Sequence, residues 1–375
     1  MSNVKFEIIN SLSGICAEDW NSLNGNNTVT SYEFLATLEE TQNVGDKSGW
    51  TPAHLIAKDD QKLVGAVPLY IKTHSYGEYI FDWAWADAYH RSGLDYYPKL
   101  VSAIPFTPTT GPRLLASNQG IKQELAAATL SFAKDNTFSS FHSLYPEPND
   151  LKIWEQAGCL HRKSIQFHWC NQDYESFDHF LSTMKSVKRK KIKQERKKLI
   201  ENHLQFNVMS GDEASDVDWE FFYDCYQHTY AIRGSNPYLS LDFFLELKRK
   251  IGKKILLVIA HQSGQRIAAA MNILSNDNIL GRYWGAKTYI PGLHFETCYY
   301  QAIEYAIANK YSRFEGGAQG EHKLSRGLEV AATDSAHWLA HPQFSDAVEN
   351  FLDREGNAVN DYRDDLTIRT PFKRV

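Results

Sequence analysis

LIAKDDQKLVGA, residues 55–66, returns in the second half of the chain as VIAHQSGQRIAAA, residues 258–270. Each copy reads as an apolar strand, a tight polar turn and a second strand rich in small residues. The surroundings repeat as well. Residues 52–86, PAHLIAKDDQKLVGAVPLYIKTHSYGEYIFDWAWA, predict three consecutive strands, with turns at Asp59-Asp60 and around Ser75–Gly77. Residues 254–286, KILLVIAHQSGQRIAAAMNILSNDNILGRYWGA, predict the same. A helix follows in both halves. SNQGIKQELAAATLSFAKD (117–135) has Ser117 or Asn118 as N-cap, and FETCYYQAIEYAIANK (295–310) has Tyr299, Ile303, Ala306 and Ile307 on one face. A short strand closes each half, within FSSFHSLYPEP (138–148) and within RFEGG (313–317). One α/β unit is present twice.

Two such units fit the length of 375 residues. With 43% hydrophobic and 23% charged residues, the composition is that of an ordinary globular protein. Aromatic content is high at 13%, which suits aromatic-lined clefts. The five cysteines are dispersed, without a CxxC pair, and are expected to be reduced thiols. The start carries no signal pattern, and no run of about 18 apolar residues exists. A cytoplasmic protein is expected, with peripheral contact at the inner face of a membrane left open.

Between the halves lies MKSVKRKKIKQERKKLIENH, residues 184–203. Nine of the fourteen residues from Lys185 to Lys198 are Lys or Arg, against one Glu. No proline or glycine interrupts the stretch, so a helix is expected, with a narrow apolar side of Val187, Ile192 and Leu199. So one-sided a charge is either a solvated face or a binding surface for phosphates or an anionic membrane, with Lys188 and Arg189 among the contacts. The run contains no aromatic residue, so base stacking is not suggested.

The doubled unit resembles two GNAT-type, N-acetyltransferase-like modules in one chain, the architecture of the Fem aminoacyl transferases. The basic helical segment and the helix leading into RFEGGAQGEHKLSRG (313–327) carry the likeness. It is nearer still to a Fem-like bacterial family labelled peptidoglycan biosynthesis or recognition. FDWAWADAYHRSGLDYYPKL (81–100), AIPFTPTTGPRLL (103–115), YWGA (283–286), LHFETCYYQAIEYAI (293–307) and FEGGAQGEHKLSRG (314–327) are typical of it. The resemblance implies an α/β fold of two tandem GNAT-like modules, mixed sheets flanked by helices. The modules are expected at 1–148 and 149–375, the second with the basic segment 184–201 and a C-terminal helical tail. It also implies an N-acyl or aminoacyl transferase acting on a cell-envelope precursor or another amine. The co-substrate would be aminoacyl-tRNA or an acyl-CoA, and the acceptor a small-molecule or nucleotide-linked amine. A binding protein of the same fold without catalysis, and an acetyl-CoA-dependent N-acetyltransferase, remain alternatives. GNAT enzymes hold the CoA pyrophosphate in a (Q/R)xxGx(G/A) loop at a helix start. TYIPGLHFETCYY (288–300) has one glycine and a proline instead, which favours a donor bound differently.

Acyl transfer to an amine needs positioning, a proton acceptor and oxyanion stabilisation. FEGGAQGEHKLSRG, with four glycines, offers the last two. Glu315, Glu321 and His322 are candidate proton acceptors. Lys323, which the resemblance places near a conserved Fem lysine, and Arg326 are cations for an oxyanion or phosphate. Gln319 and Trp284 are further candidate contacts. His294 and Glu296, at the start of the second helix, are candidates for the acyl site, or else cap the loop and complement the helix dipole. Asp82, Trp85, Asp87, Tyr89, Arg91, Tyr96 and Tyr97 are expected to follow a strand and line a substrate cleft between the modules. Arg113, in a proline-rich wall, is a candidate for an anionic group. Asp and His nowhere show tight ligand spacing, so no metal site is expected.

Overall fold

The structure, a computed structural model, describes residues 4–318 and 320–373. The chain begins with β1 (Val4–Ile9), α1 (Ala17–Leu23), α2 (Tyr32–Glu40), β2 (Trp50–Pro52), β3 (His54–Asp59), β4 (Lys62–Val67) and β5 (Tyr70–Lys72). It continues through α3 (Trp83–Arg91), β6 (Lys99–Ser102), β7 (Leu115–Ala116), α4 (Gln119–Asp135), β8 (Ser140–Leu144), α5 (Pro148–Gln156) and β9 (Leu160–Cys170). Then come α6 (Phe177–Thr183), α7 (Ser186–Glu201), β10 (Leu204–Ser210), α8 (Asp216–Ile232), α9 (Leu241–Ile251), β11 (Ile255–Gln262), β12 (Gln265–Ser275) and β13 (Asn278–Ala286). A helix runs as α10 (Leu293–Phe295), a π turn (Glu296–Tyr300) and α11 (Gln301–Ala308). The chain closes with β14 (Arg313–Glu315), a 3-10 turn (Glu321–Arg326), β15 (Glu329–Leu339) and α12 (Pro342–Ile368). Among the described residues no helix is long and apolar enough to cross a membrane.

The chain forms two compact units, one of residues up to Ile165 with Ala332–Tyr362, the other of Gln166–Ala331 with the residues from Arg363 onward. The first therefore reaches past 148, where the sequence reading places the boundary, and takes back a stretch near the C-terminus.

The repeated hairpin is seen in both. β3 pairs with β4 and β11 with β12, each antiparallel. Both ladders slip at the same place in the repeat, between Ala57 and Lys58 in one and between Ala260 and His261 in the other. A bulge at matching positions is a shared device, since each one locally bends and twists its strand. Both units then cross by a helix to a parallel strand. β6 and β8 pair over three residues, and so do β13 and β14.

In the first unit, strands β1-β3-β4-β7 form one run and β15-β8-β6-β5-β2 another. The helix α4, capped by Asn118 accepting from the Ile121 amide, buries Leu125, Ala126, Leu130 and Ala133 in the core. The structure corrects one expected element. Residues 83–91 are a helix, α3, not the third strand. The alternating Trp-Ala-Trp-Ala has a strand's period, but Trp85 and Tyr89, one helical turn apart, bury together against Phe344 and Leu352. Tertiary burial outweighs the local pattern.

Beneath α3 lies a buried polar row. Lys99 Nζ donates to Glu78 and Ser75 at 2.8 Å each and also bonds Asp82. Tyr96 donates to Asp82 at 2.7 Å and stands 3.1 Å from His142 Nε2. The Nδ1 atoms of His142 and His337 are 2.6 Å apart. Burial pushes Glu78 up to about 7 and Lys72 down to about 7, while Asp82, despite burial, is held well below the carboxylate range by Lys99. Lys99 balances two carboxylates at once. Lys99→Met is expected to destabilise this unit by about 3–5 kcal/mol, because it leaves Asp82 buried without its bonded cation and Glu78 with Lys72 alone, 4.0 Å away. Thermal unfolding should show a midpoint lower by roughly 10 °C; an unchanged midpoint would show that Lys99 offsets no buried charge.

In the second unit the strand order is β10-β11-β12-β13-β14-β9. The helix α8 lies on β13 so closely that a Cβ on Gly285 would stand 1.9 Å from the Cys225 carbonyl oxygen, and only glycine fits.

Candidate functional site

β13 and β14 part company at the head of the loop. Their parallel ladder runs from Asn278↔Arg313 to Leu280↔Glu315, where β14 ends while β13 continues to Ala286. At this point β13 also bulges, since Met271 faces Tyr283 and the next residue, Asn272, faces Gly281. The opening between the strands is a notch of about 80 Å³, lined by Gly281, Trp284, His294, Cys298, Tyr299 and Gly316. Its helical wall is the π turn, a feature that tends to mark functional sites.

The loop closes over the notch. Lys323 sits in the 3-10 turn, 3% exposed, and its Nζ donates to the Gly317 carbonyl at 2.8 Å. Burial pushes its amine down to about 8. Tyr299 Oη and His322 Nε2 are 3.2 Å apart, and the His294 ring lies 4.5 Å from that of Trp284. Burial, with His322 and Lys323 nearby, takes His294 down to about 4, so it is neutral at physiological pH. Burial lowers His322 also. Arg326, 4% exposed, lies 3.9 Å over the Phe295 ring and pairs with Glu195 of α7 at 3.0 Å.

Glu315 stands apart from this group. Phe314 lines the notch, and strand alternation turns Glu315 to the opposite face, with its register partner His168. Glu315 is 2% exposed, and neither carboxylate oxygen has a hydrogen-bond partner among the described residues. The Arg313 guanidinium is 3.5 Å away. Burial raises the Glu315 carboxyl to about 7, against the opposing pull of Arg313 and Arg282.

Glu296 serves α7. Arg196 grips it with Nε and Nη2 at 3.0 and 2.8 Å, grips Glu304 with both Nη atoms, and lies 4.6 Å over Phe177. This fork ties the basic helix to the π turn and α11. Arg196→Ala is expected to cost about 3 kcal/mol by leaving Glu296 buried and unneutralised. Its midpoint should fall by roughly 6–12 °C, and Glu296→Gln in the same chain should recover part of the loss. A midpoint equal to wild type would show that the fork holds nothing.

The other expected residues lie as follows. Trp85 and Tyr89 are core residues, and Asp82 and Tyr96 belong to the buried polar row. Tyr97 bonds Ser75 at 2.9 Å. Asp87 and Arg91 are exposed on α3 and pair with each other. These seven do not converge on one cleft. Arg113 is fully buried and satisfied by the carbonyl oxygens of Leu144, Pro112 and Thr109 at 2.8–3.0 Å. A guanidinium already saturated by backbone is not held for an anionic ligand, which corrects that expectation. Lys188 and Arg189 are half-buried on α7, while Lys190, Lys191, Lys193, Lys197 and Lys198 are exposed. Gln319 lies outside the described residues. Among the described residues no three His, Cys, Asp or Glu are placed to hold a metal ion.

His168, Arg313, Cys298 and Arg196 have no distinguishing sequence signal. Arg196 is one of nine cations in its run, and its partner Glu296 is 100 residues away.

A family model described as peptidoglycan biosynthesis/recognition, FemAB-like, matches residues 11–374. No curated protein matches the chain. Among solved structures, FemX aligns with a TM-score of 0.55 at 10% identity, covering 89% of this chain and 98% of that one. A conserved protein of unknown function from Bacteroides thetaiotaomicron gives 0.54 at 11% identity, covering 89% and 99%. L-PGS from Bacillus licheniformis gives 0.54 at 9% identity, covering 90% and 96%. At such identities the likeness is one of fold, the mixed α/β architecture read from the repeat. Matched almost from end to end by the family model, the chain belongs to the FemAB-like family of peptidoglycan biosynthesis/recognition proteins.

Proposed function

We propose that the protein is an N-acyl or aminoacyl transferase acting on an amine of a peptidoglycan-related precursor, with the reacting acyl group in the notch at the end of β14. The observation that carries this reading is Lys323: a buried amine bonded, among the described residues, to a loop carbonyl, with its stem packed on Gly316 at the wall of a notch that Trp284, His294, Tyr299 and Arg282 also line. An acyl carbonyl entering there would take over the Lys323 N–H from Gly317, and the charge developing on its oxygen would be stabilised in a dry site. The chemistry is direct. The amine nitrogen bonds the acyl carbon, the donor's ester or thioester bond breaks, and the amine's proton passes to Glu315, at the strand end between the notch-lining Phe314 and Gly316, and from it to the departing oxygen or sulfur.

An aminoacyl ester is favoured over acetyl-CoA as donor. Gly292, at the start of α10, packs against α7, with Glu195 Cβ and Leu199 within 3.8 Å of where its own Cβ would be. A pyrophosphate at that helix start would meet the Glu195 and Leu199 stems of α7 instead of free amides. The exposed lysines of α7 suit a polyanionic donor such as tRNA, and binding through them would weaken steeply with salt.

The test is a product search by mass spectrometry. Wild-type protein is incubated with aminoacyl-tRNA, or with acyl-CoAs, and nucleotide-linked muropeptides. The expected result is an N-acylated muropeptide from the aminoacyl donor, suppressed by high salt. Binding of muropeptide with no product from either donor class would make the chain a binding module and end the proposal.

A further inference from the structure

Glu195 is the one acid among the nine cations of residues 185–198. A solvated or anion-binding face has no use for it, and the structure turns it inward. Its two carboxylate oxygens stand 3.0 Å from the two Nη atoms of Arg326, the last residue of the 3-10 turn. Arg326 is buried between Glu195 on α7 and the Phe295 ring of α10. A second ion pair also holds this turn, Glu321 with Arg369 at 2.9 Å, but both of those side chains are close to half exposed. Solvent screens that pair, and it contributes little. The tie to Glu195 is the one made out of water.

The next residue of α7 does the converse. Arg196 grips Glu296, in the π turn that forms the helical wall of the notch. Successive side chains of a helix point about 100° apart, so one short stretch of α7 reaches two neighbours. Its acid takes the cation of the 3-10 turn, and its cation takes the acid of the π turn. Lys323 lies three residues before Arg326. In a 3-10 helix that spacing puts the two side chains on one side of the turn. A shift of Arg326 therefore carries Lys323 with it, away from the Gly317 carbonyl and from Gly316.

We propose, on the transferase reading above, that Glu195 is a positioning residue for the acyl site. Through Arg326 it sets where the 3-10 turn places Lys323, while Arg196 fixes the π turn beside it. Arg326 is then a strut and not a contact for an oxyanion or phosphate. Neither Glu195 nor Arg326 touches the reacting atoms.

The experiment pairs hydrogen exchange with kinetics on the full chain, in Glu195→Gln, Arg326→Gln, the double variant and Arg369→Gln. The amides of Lys323, Gly327 and Leu328 bond to Gly320, Leu324 and Lys323 within the turn and report its opening. In Glu195→Gln their exchange is expected to rise by about tenfold or more, with α8 unchanged. Arg369→Gln, which removes the exposed tie, should exchange as wild type. Glu195→Asp keeps the charge and shortens the reach, so it should fall between Glu195→Gln and wild type. With a donor that gives product, kcat in Glu195→Gln should fall by about 10–10²-fold and KM change much less. The double variant should lose no more than the worse single one, since the two residues act in series. Wild-type exchange in Glu195→Gln, equal acceleration in α8, additive losses, or a raised KM with kcat kept would overturn the assignment. Faster exchange of the turn in a chain that transfers no acyl group keeps the tie and removes the transferase reading. Transfer at the wild-type rate in Glu195→Gln removes the positioning role alone.

Discussion

Glu315→Gln is expected to lower turnover by about 10²–10⁴-fold, the range associated with loss of a positioned proton acceptor, while making the folded chain more stable above neutral pH. Both effects follow from one fact, a carboxyl that burial raises from 4.5 to about 7. Only the carboxylate accepts a proton, so the rate should climb with pH through about 7 in wild type, and that limb should vanish in the variant. The groups acting on it are Arg313 and Arg282, both of which oppose the rise. Stability moves the other way. Between pH 4.5 and 7 the folded state holds the proton more tightly than the unfolded chain, so stability falls as pH rises across that window and stays reduced above it. Glutamine removes the charge and with it the penalty. At pH 8 the variant should melt several degrees higher than wild type, the pattern of a site whose function costs stability. A variant that is less stable and fully active would show Glu315 to be structural.

Lys323→Met is expected to be nearly as damaging, with kcat reduced by about 10²–10³-fold and the change in KM much smaller. Methionine keeps the stem that runs beside Gly316, so packing is largely preserved. The amine is lowered by burial from 10.5 to about 8, with Cys298 opposing. The ammonium form predominates at neutral pH and is lost as pH rises through about 8, so wild-type activity should decline on that side and the bell should close. Here the unfolded chain holds the proton more tightly between 8 and 10.5. Folding therefore bears the full penalty below 8 and recovers it as pH rises through that window. The methionine variant should accordingly be no less stable than wild type at pH 7. Steady-state kinetics across pH, paired with melting curves, separates this from simple misfolding.

How much of this was legible beforehand differs from element to element. The hairpins were, because alternation and turn residues act locally: LIAKDDQKLVGA and VIAHQSGQRIAAA each fold as a bulged antiparallel pair. The basic helix was also legible, its observed span of Ser186–Glu201 lying inside the run expected. The loop after β14 could be picked out from its glycines and charges, and Lys323 from a resemblance. What could not be read is anything decided by distant partners. Residues 83–91 alternate like a strand, yet become a helix because Phe344 and Leu352 cover Trp85 and Tyr89. Arg113 looks like an anion-seeking cation until three backbone carbonyls are found around it. Glu315 and Lys323 lie eight positions apart and look like one cluster. Strand alternation sends the glutamate to one face, and the return of the loop puts the lysine beside Gly316, at the wall of the notch on the other.

A crystal structure with a non-hydrolysable amide analogue of the donor that supports turnover tests the central claim most directly. The account predicts the acyl carbon between Gly281, Trp284, His294 and Gly316, with its carbonyl oxygen about 3 Å from Lys323 Nζ and the Lys323–Gly317 bond released. An acyl group lodged elsewhere, with Lys323 still on Gly317, would contradict it.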